Sequence, residues 1–240
     1  MTTDFYNSSE LILNKEAFLI ICNHIQKSFG ILFSSKDMHL IESRLAKRVI
    51  ELNLGSFDEY VAFLTENSRA ELKVAIEYLT NNETYFFREE TQLESFSSEF
   101  LPQLKKRINK QQQITIWSAG CSSGEEVYTI AMLINDSGLF NDIDVRVLGT
   151  DINSLMIANA RKGIYGESSF RNTSEQLRRR HFVSHRNSWK INEKIRSMCN
   201  FSTMNILNDD SIYVIGKFDI IFCRNVLIYF NQESKLKAVS

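Results

Sequence analysis

The densest chemistry in the chain is Trp117-Ser118-Ala119-Gly120-Cys121-Ser122-Ser123-Gly124-Glu125-Glu126. A short β-rich run, Ile114 to Trp117, precedes it, and a helical stretch from about Glu125 to Asn135 follows. A small-residue loop between strand and helix is where an open α/β sheet binds ligands. Gly120 and Gly124 let backbone approach a ligand with no Cβ in the way. A second β-rich run, from Val145, ends in Gly149-Thr150-Asp151. An acid at that strand end accepts hydrogen bonds from ribose hydroxyls. Glycine loop and strand-two acid together point to a nucleoside cofactor, either a dinucleotide or S-adenosylmethionine. Glu125 and Glu126 bear on the choice. A pyrophosphate seeks the positive helix N-terminus, where two adjacent carboxylates repel it, while a cationic sulfonium and amino group meet no such repulsion. The same glutamates also suit a first helical turn as complements of its dipole.

Other patterns suggest different chemistry. Gly120 to Gly124 fits G-x-S-x-G, the nucleophile elbow of α/β hydrolases, with Ser122 as nucleophile. Asp151 and His181 or His185 fill the order Ser, Asp, His, but their flanks are unconvincing. His181 and His185 are four apart, the spacing of two metal ligands on a helix, yet no third ligand is in view, and no metal is expected. Arg178-Arg179-Arg180 reads as a solvated helix end rather than a nucleic-acid site, because the net charge is −1. Cys22, Cys121, Cys199 and Cys223 form no C-x-x-C pair and no zinc spacing.

These residues need elements to hold them. The 240 residues are 43% hydrophobic and 24% charged, as in a folded globular protein, which excludes disorder as the main state. One proline and nine glycines favour long regular elements over a turn-rich β sandwich. No apolar run approaches the roughly 18 residues of a membrane span, and Met1 to Asn7 lacks the basic and apolar regions of a signal peptide. The expectation is a cytoplasmic monomer with reduced thiols.

The first hundred residues read as helices. Asn14 caps a helix with Phe18, Ile21, Cys22, Ile25 and Phe29 on its apolar face and Gly30 at its end. A second runs from Ser35 to Leu52. The capping-box patterns Ser56 to Glu59 and Ser68 to Glu71 start two more, and a longer helix spans the Arg88 region to Asn109. Strand, helix, strand, helix then follow, which implies a parallel α/β sheet. Phe218 to Cys223 is a later strand, buried on both faces. Gly163 to Asn205 interrupts the alternation as an inserted β-subdomain. Its Ser174 to Arg180 is helical, and His181-Phe182-Val183 pairs with Trp189-Lys190-Ile191. The predicted domains are residues 1–90, all helical, and 91–240, α/β, with 163–205 inserted.

Several segments together resemble the CheR-type chemotaxis receptor methyltransferases. They are Asn82-Glu83-Thr84-Tyr85-Phe86-Phe87-Arg88-Glu89, the loop Trp117 to Glu126 with Tyr128, Thr150-Asp151-Ile152 through Ala160-Arg161-Lys162-Gly163-Ile164-Tyr165, and Phe218 to Phe230 around Cys223-Arg224-Asn225. The helical region, including Ser43 to Arg48, is similar too. The resemblance implies a Rossmann-like sheet that binds S-adenosylmethionine and methylates glutamate side chains on the cytoplasmic helices of chemoreceptors, leaving S-adenosylhomocysteine. It places Asn82, Thr84 and Arg88 beside the cofactor, Arg88 on its carboxylate, and Gly120, Glu125 and Glu126 in the loop. It places Asp151 on the ribose, Asn205 and Ile206 beside the adenine, and Arg224 and Asn225 at the closing edge. At least one of Tyr85, Phe86 and Phe87 is core. Arg44, Lys47 and Arg48 form a basic face for an acidic receptor helix, with no nucleic acid and no membrane insertion. A carboxylate acceptor needs no general base, so alignment does the catalysis, with Arg88 and Tyr229 as helpers. Family members continue beyond the helix in which Lys235 to Ser240 lie, so the sheet is expected about three strands short. The short turn His185 to Ser188 resembles members that need no receptor C-terminal peptide. A cofactor-binding or receptor-docking module without turnover is the alternative.

Overall fold

In the computed structural model, residues 11–108, 113–208 and 215–239 are described. The chain forms two compact units. One comprises residues up to Asn81 together with the segment from Leu227, and the other runs from Asn82 to Val226. The sequence put this boundary near residue 90. It falls earlier because Phe86 is core of the second unit, its ring 4.8, 5.1 and 4.9 Å from those of Tyr165, Phe170 and Phe182.

The first unit is helical. Helix α1 (Lys15–Phe29) is capped by Asn14, whose side chain accepts the Ala17 amide, and it ends on Gly30 at φ 68°. Its apolar face is buried as expected, except that Cys22 is half-exposed. Helix α2 (Met38–Glu51) starts three residues later than the pattern suggested. Ser34 and Asp37 cap each other across a 3₁₀ turn over Ser35–Asp37 first. Helix α3 (Phe57–Glu66) has the predicted Ser56 cap. Helix α4 (Ser68–Leu79) does not use its capping box. Ser68 is already helical, and the Asn67 carbonyl accepts the amides of Ala70 and Glu71. Glu71 instead turns into the core, where it is 2% exposed. Its carboxylate accepts Nε and Nη2 of Arg48 at 3.0 and 2.7 Å and the Tyr60 hydroxyl at 3.0 Å. Burial, then Glu71, pushes the Tyr60 phenol up. Arg44 also points inward, donating Nη1 to the carbonyls of Leu79 and Thr80 at 2.7 and 3.2 Å. That closes the C-terminus of α4. Of the basic face Arg44, Lys47 and Arg48, only Lys47 is exposed. Later in the chain, Phe230 bridges Ile31, Leu32 donates to the Tyr229 carbonyl at 2.9 Å, and Asn231 precedes the last helix, Gln232–Val239.

The second unit opens with α5 (Glu90–Ser95), a π-helical turn Phe96–Phe100, and α6 (Leu101–Arg107). The long predicted helix is thus broken in pitch ahead of Pro102, which has no N–H for a regular ladder. Its predicted end, Asn109, lies outside the described residues. Strands β1 (Ile114–Ala119) and β2 (Val145–Asp151) pair in parallel from Ile114↔Val145 to Ala119↔Thr150. Helix α7 (Glu125–Ser137) connects them, and α8 (Ser154–Lys162) follows β2. The insertion forms its own antiparallel sheet from β3 (Ile164–Tyr165), β4 (Phe182–His185) and β5 (Ser188–Ile191), with α9 (Glu175–His181) before β4. The predicted hairpin is there, with Phe182 opposite Ile191 and Val183 opposite Lys190, but His181 belongs to α9. Helix α10 (Glu193–Arg196) leads to β6 (Cys199–Thr203), which the sequence assigned to the insertion and which pairs in parallel with β2 in the main sheet. Strand β7 (Ile220–Phe222) completes the described order β6-β2-β1-β7. It is shorter than predicted and not buried on both faces. It lies at the edge of that order, and Ile221 is exposed.

The buried ion pair in the first unit yields a test. Glu71→Ala leaves Arg48 without its bidentate partner and is expected to cost about 3 kcal/mol in urea unfolding. A loss no larger than that of an exposed substitution contradicts the assignment.

Candidate active site

The loop after β1 turns sharply. The amides of Gly120 and Cys121 both donate to the Thr150 carbonyl, at 2.7 and 2.9 Å. Gly120 has φ 75°, and a Cβ there would lie 2.2 Å from Val226 Cγ2. Gly124 has φ 92°, and its Cβ would meet Ala160 Cβ at 2.8 Å. Both glycines therefore admit the chain's own neighbours, which is a different reason from the close ligand approach read from the sequence.

Asp151 organises the far side of the loop. Its Oδ2 accepts the Ser122 amide at 2.7 Å and its Oδ1 the Asn153 amide at 2.9 Å. Burial raises its carboxyl above the ordinary value, against the pull of those amides. Ser122 Oγ donates to the Asn82 carbonyl at 3.0 Å, which brings the segment of Asn82 and Thr84 to this strand end. The Met204 amide donates to the Asp151 carbonyl at 2.9 Å, which brings Asn205 and the buried Ile206 there too.

The two glutamates point apart. Glu125 is 2% exposed and accepts the hydroxyls of Ser123 and Ser169 at 2.7 and 2.9 Å. It ties the loop to the insertion. Glu126 accepts Ser118 Oγ at 2.8 Å and Arg224 Nη1 at 2.9 Å. Burial raises both carboxyls. Arg224 opposes the rise at Glu126, and the serines oppose it at Glu125.

Arg224 gathers the near side. It donates Nε to Gln92 Oε1 at 2.8 Å and Nη2 to the Arg88 carbonyl at 2.5 Å, and it meets Glu89 Oε2 at 3.4 Å. Glu89 Oε1 accepts Asn225 Nδ2 at 2.9 Å. The Asn225 hydrogen bond, then Arg224, holds the Glu89 carboxyl below its ordinary value. Arg88 donates Nη1 to the Glu83 carbonyl at 2.6 Å and lies 5.8 Å from the Tyr85 ring centroid. Among the described residues six non-glycines have positive φ, and four of them stand here: Phe87, Glu89, Ser122 and Asn225. Backbone strain of this kind concentrates at functional sites.

Comparison with known proteins identifies the family. Residues 82–240 match the family profile described as CheR methyltransferase, SAM binding domain, and residues 16–80 match CheR methyltransferase, all-alpha domain. The chain belongs to the CheR methyltransferase family. It is 34% identical over 229 residues to the chemotaxis protein methyltransferase of Borreliella burgdorferi, covering 93% of this chain and 81% of that protein. It is 32% identical over 234 residues to chemotaxis protein methyltransferase 2 of Vibrio cholerae, covering 96% and 81%. With chemotaxis protein methyltransferase 1 of Pseudomonas aeruginosa it shares 34% over 217 residues, covering 88% and 78%. The CheR family uses S-adenosylmethionine, and its profile begins at Asn82, where the second unit begins.

The hydrolase reading falls. Ser122 Oγ is engaged by a carbonyl, and His181 Nε2 lies 2.9 Å from Asp136 Oδ2, at the opposite end of α7. His181 ends α9 while His185 lies in β4, so their spacing is not that of one helix face. The three consecutive arginines meet carboxylates of this chain: Arg178 with Glu167, Arg179 with Glu175, Arg180 with Asp136. Among the described residues no helix is long and apolar enough to cross a membrane. Tyr229 lies in the first unit, its hydroxyl accepting Asn81 Nδ2 at 3.3 Å. Glu89, Gln92 and Ser169 were not singled out from the sequence. Glu89 stands inside a recognised motif, but nothing in its spacing shows a partner in the 224–225 segment.

A carboxyl whose pKa rises on folding binds its proton more tightly in the native state. Its contribution is complete below the unfolded value and is lost as pH rises through the folded one. For Glu125 that loss starts near 4.5. Glu125→Gln should therefore gain stability relative to the wild type as pH rises above about 4.5. Parallel pH profiles in urea unfolding would show that Glu125 is not a buried titrating group.

Proposed function

We propose that this chain transfers the methyl group of S-adenosylmethionine to glutamate side chains on the cytoplasmic helices of chemoreceptors, producing glutamate methyl ester and S-adenosylhomocysteine. Family membership supports methyl transfer, and the relatives' printed names support a chemotaxis substrate. The observation that carries the reading is the meeting of Asn82, Glu126, Asp151, Asn205 and Arg224 segments at the carboxyl ends of one parallel sheet.

The residues fit the cofactor. Both Asp151 oxygens are held by backbone amides, Oδ2 by Ser122 and Oδ1 by Asn153, and a carboxylate has about four lone-pair sites, which leaves acceptor capacity for a ribose hydroxyl. Asn205 and Ile206, held beside that strand end, are assigned to the adenine. Arg88 is assigned to the cofactor carboxylate, flanked by Asn82 and Thr84. Two carboxylates, Glu89 and Glu126, surround the single guanidinium of Arg224. Carboxylates on this side suit a cationic sulfonium. Glu126 takes the role first shared by two glutamates, and Glu125 holds the loop from behind.

When bound, S-adenosylmethionine supplies an electrophilic methyl on a sulfonium. The acceptor carboxylate, ionised at neutral pH with a pKa of about 4.3, attacks in line. Transfer to that oxygen would leave S-adenosylhomocysteine, a neutral thioether. No proton moves, so the site needs alignment rather than a base. The histidines of this unit fit that requirement, His181 on Asp136 and His185 in the hairpin of the insertion.

On the receptor side, exposed Lys47 is the member of the basic face available to an acidic helix. The protein acts as a cytoplasmic monomer in this reading.

Incubation with methyl-tritiated S-adenosylmethionine and a receptor cytoplasmic fragment tests it. Label released by mild alkali, and lost when the acceptor glutamates become glutamine, is the expected result. Alkali-stable label would identify an amine or ether product, and cofactor binding without label would identify a docking module. Lys47→Glu should lower receptor methylation severalfold with S-adenosylhomocysteine affinity unchanged.

A further inference from the structure

We infer that Glu89 is a positioning residue of the methyl-transfer site, whose carboxylate holds Arg224 and Asn225 in place for the cofactor. The inference rests on the site reading given above.

Three observations carry it. First, Glu89 and Asn225 both have left-handed backbone, at φ 59° and 58°. Glutamate rarely adopts that conformation without compensating contacts, whereas asparagine adopts it more readily. Second, these two residues are joined side chain to side chain, Asn225 Nδ2 donating to Glu89 Oε1 at 2.9 Å. Third, Arg224 Nη2 bonds the carbonyl of Arg88 at 2.5 Å and faces Glu89 Oε2 at 3.4 Å. Consecutive residues on one segment thus grip consecutive residues on the other. A carboxylate serves both partners because each oxygen accepts from one of them. Glutamine would keep the acceptor for Asn225 while removing the charge that faces Arg224. Gln92 and Glu126 hold other edges of the same guanidinium, so loss of Glu89 frees its Nη2 corner and the Asn225 amide without releasing Arg224 altogether.

The test is calorimetric titration of S-adenosylhomocysteine into the wild type, Glu89→Ala, Glu89→Gln, Asn225→Gly and the double variant Glu89→Ala/Asn225→Gly. Glycine at 225 removes the side chain but tolerates the backbone. Asp151→Ala, on the other side of the loop, is the reference. Glu89→Ala should weaken binding about tenfold and Glu89→Gln about threefold. The double variant should be within about twofold of the weaker single one, while Asp151→Ala combined with Glu89→Ala should multiply the losses. If Glu89→Ala fails to fold, the glutamine variant and its double with Asn225→Gly carry the same comparison. Wild-type affinity in Glu89→Ala beside a weakened Asp151→Ala overturns the inference and leaves the site reading standing. So does full multiplicativity with Asn225→Gly, which is what a merely structural role produces. Undiminished binding in Asp151→Ala, Asn225→Gly and Glu89→Ala alike overturns both.

Discussion

The site depends on one guanidinium. Arg224 follows β7 by two residues and reaches two stretches of chain distant from it in sequence: Arg88 to Gln92, through the Arg88 carbonyl, Glu89 and Gln92, and Glu126 at the start of α7. Its side chain is 12% exposed, so an unpaired charge there would be costly. The planar fork of arginine makes the arrangement possible, since each nitrogen addresses a different acceptor with fixed geometry. Lysine has the charge but no fork. The guanidinium joins the Arg88–Gln92 stretch to the start of α7, while the loop after β1, the Asn82 segment and the residues after β6 meet through Ser122 and Asp151.

A second set of contacts supports that assembly from behind. Glu125 and Tyr165 connect the loop to the insertion, Glu125 through Ser169 Oγ and Tyr165 through a hydroxyl bond to the Ser123 carbonyl at 2.8 Å. The Phe86 amide donates to the Ser169 carbonyl at 2.9 Å, and its ring sits in the aromatic cluster of the insertion. The inserted sheet is therefore part of what shapes the methyltransferase loop. The two adjacent glutamates, equivalent in sequence, divide between these tasks because successive residues of a helix face about 100° apart.

Much of this was legible in the sequence, for local reasons. The β-rich runs, the small-residue loop and the acid at the end of β2 are written in residue type and short spacing. The hairpin of the insertion is read the same way. What was misread depends on partners far along the chain. Ser68 to Glu71 has the pattern of a capping box, but Arg48, 23 residues away, claims Glu71. Arg44, Lys47 and Arg48 look like one basic face, yet two of them are drawn inward by α4. Strand β6 is short and polar, with Phe201 its one buried residue, so only its pairing with β2 distinguishes it from the insertion around it. The left-handed backbone at Phe87, Glu89, Ser122 and Asn225 has no glycine to announce it.

If Arg224 organises the site, cofactor binding depends on its guanidinium. Titration of S-adenosylhomocysteine into the chain and its Arg224→Ala variant, each checked for a cooperative melt, tests it most directly. Saturable binding by the wild type and a loss of at least about tenfold in the folded variant are the expected results. Equal affinity in the two folded proteins would contradict it.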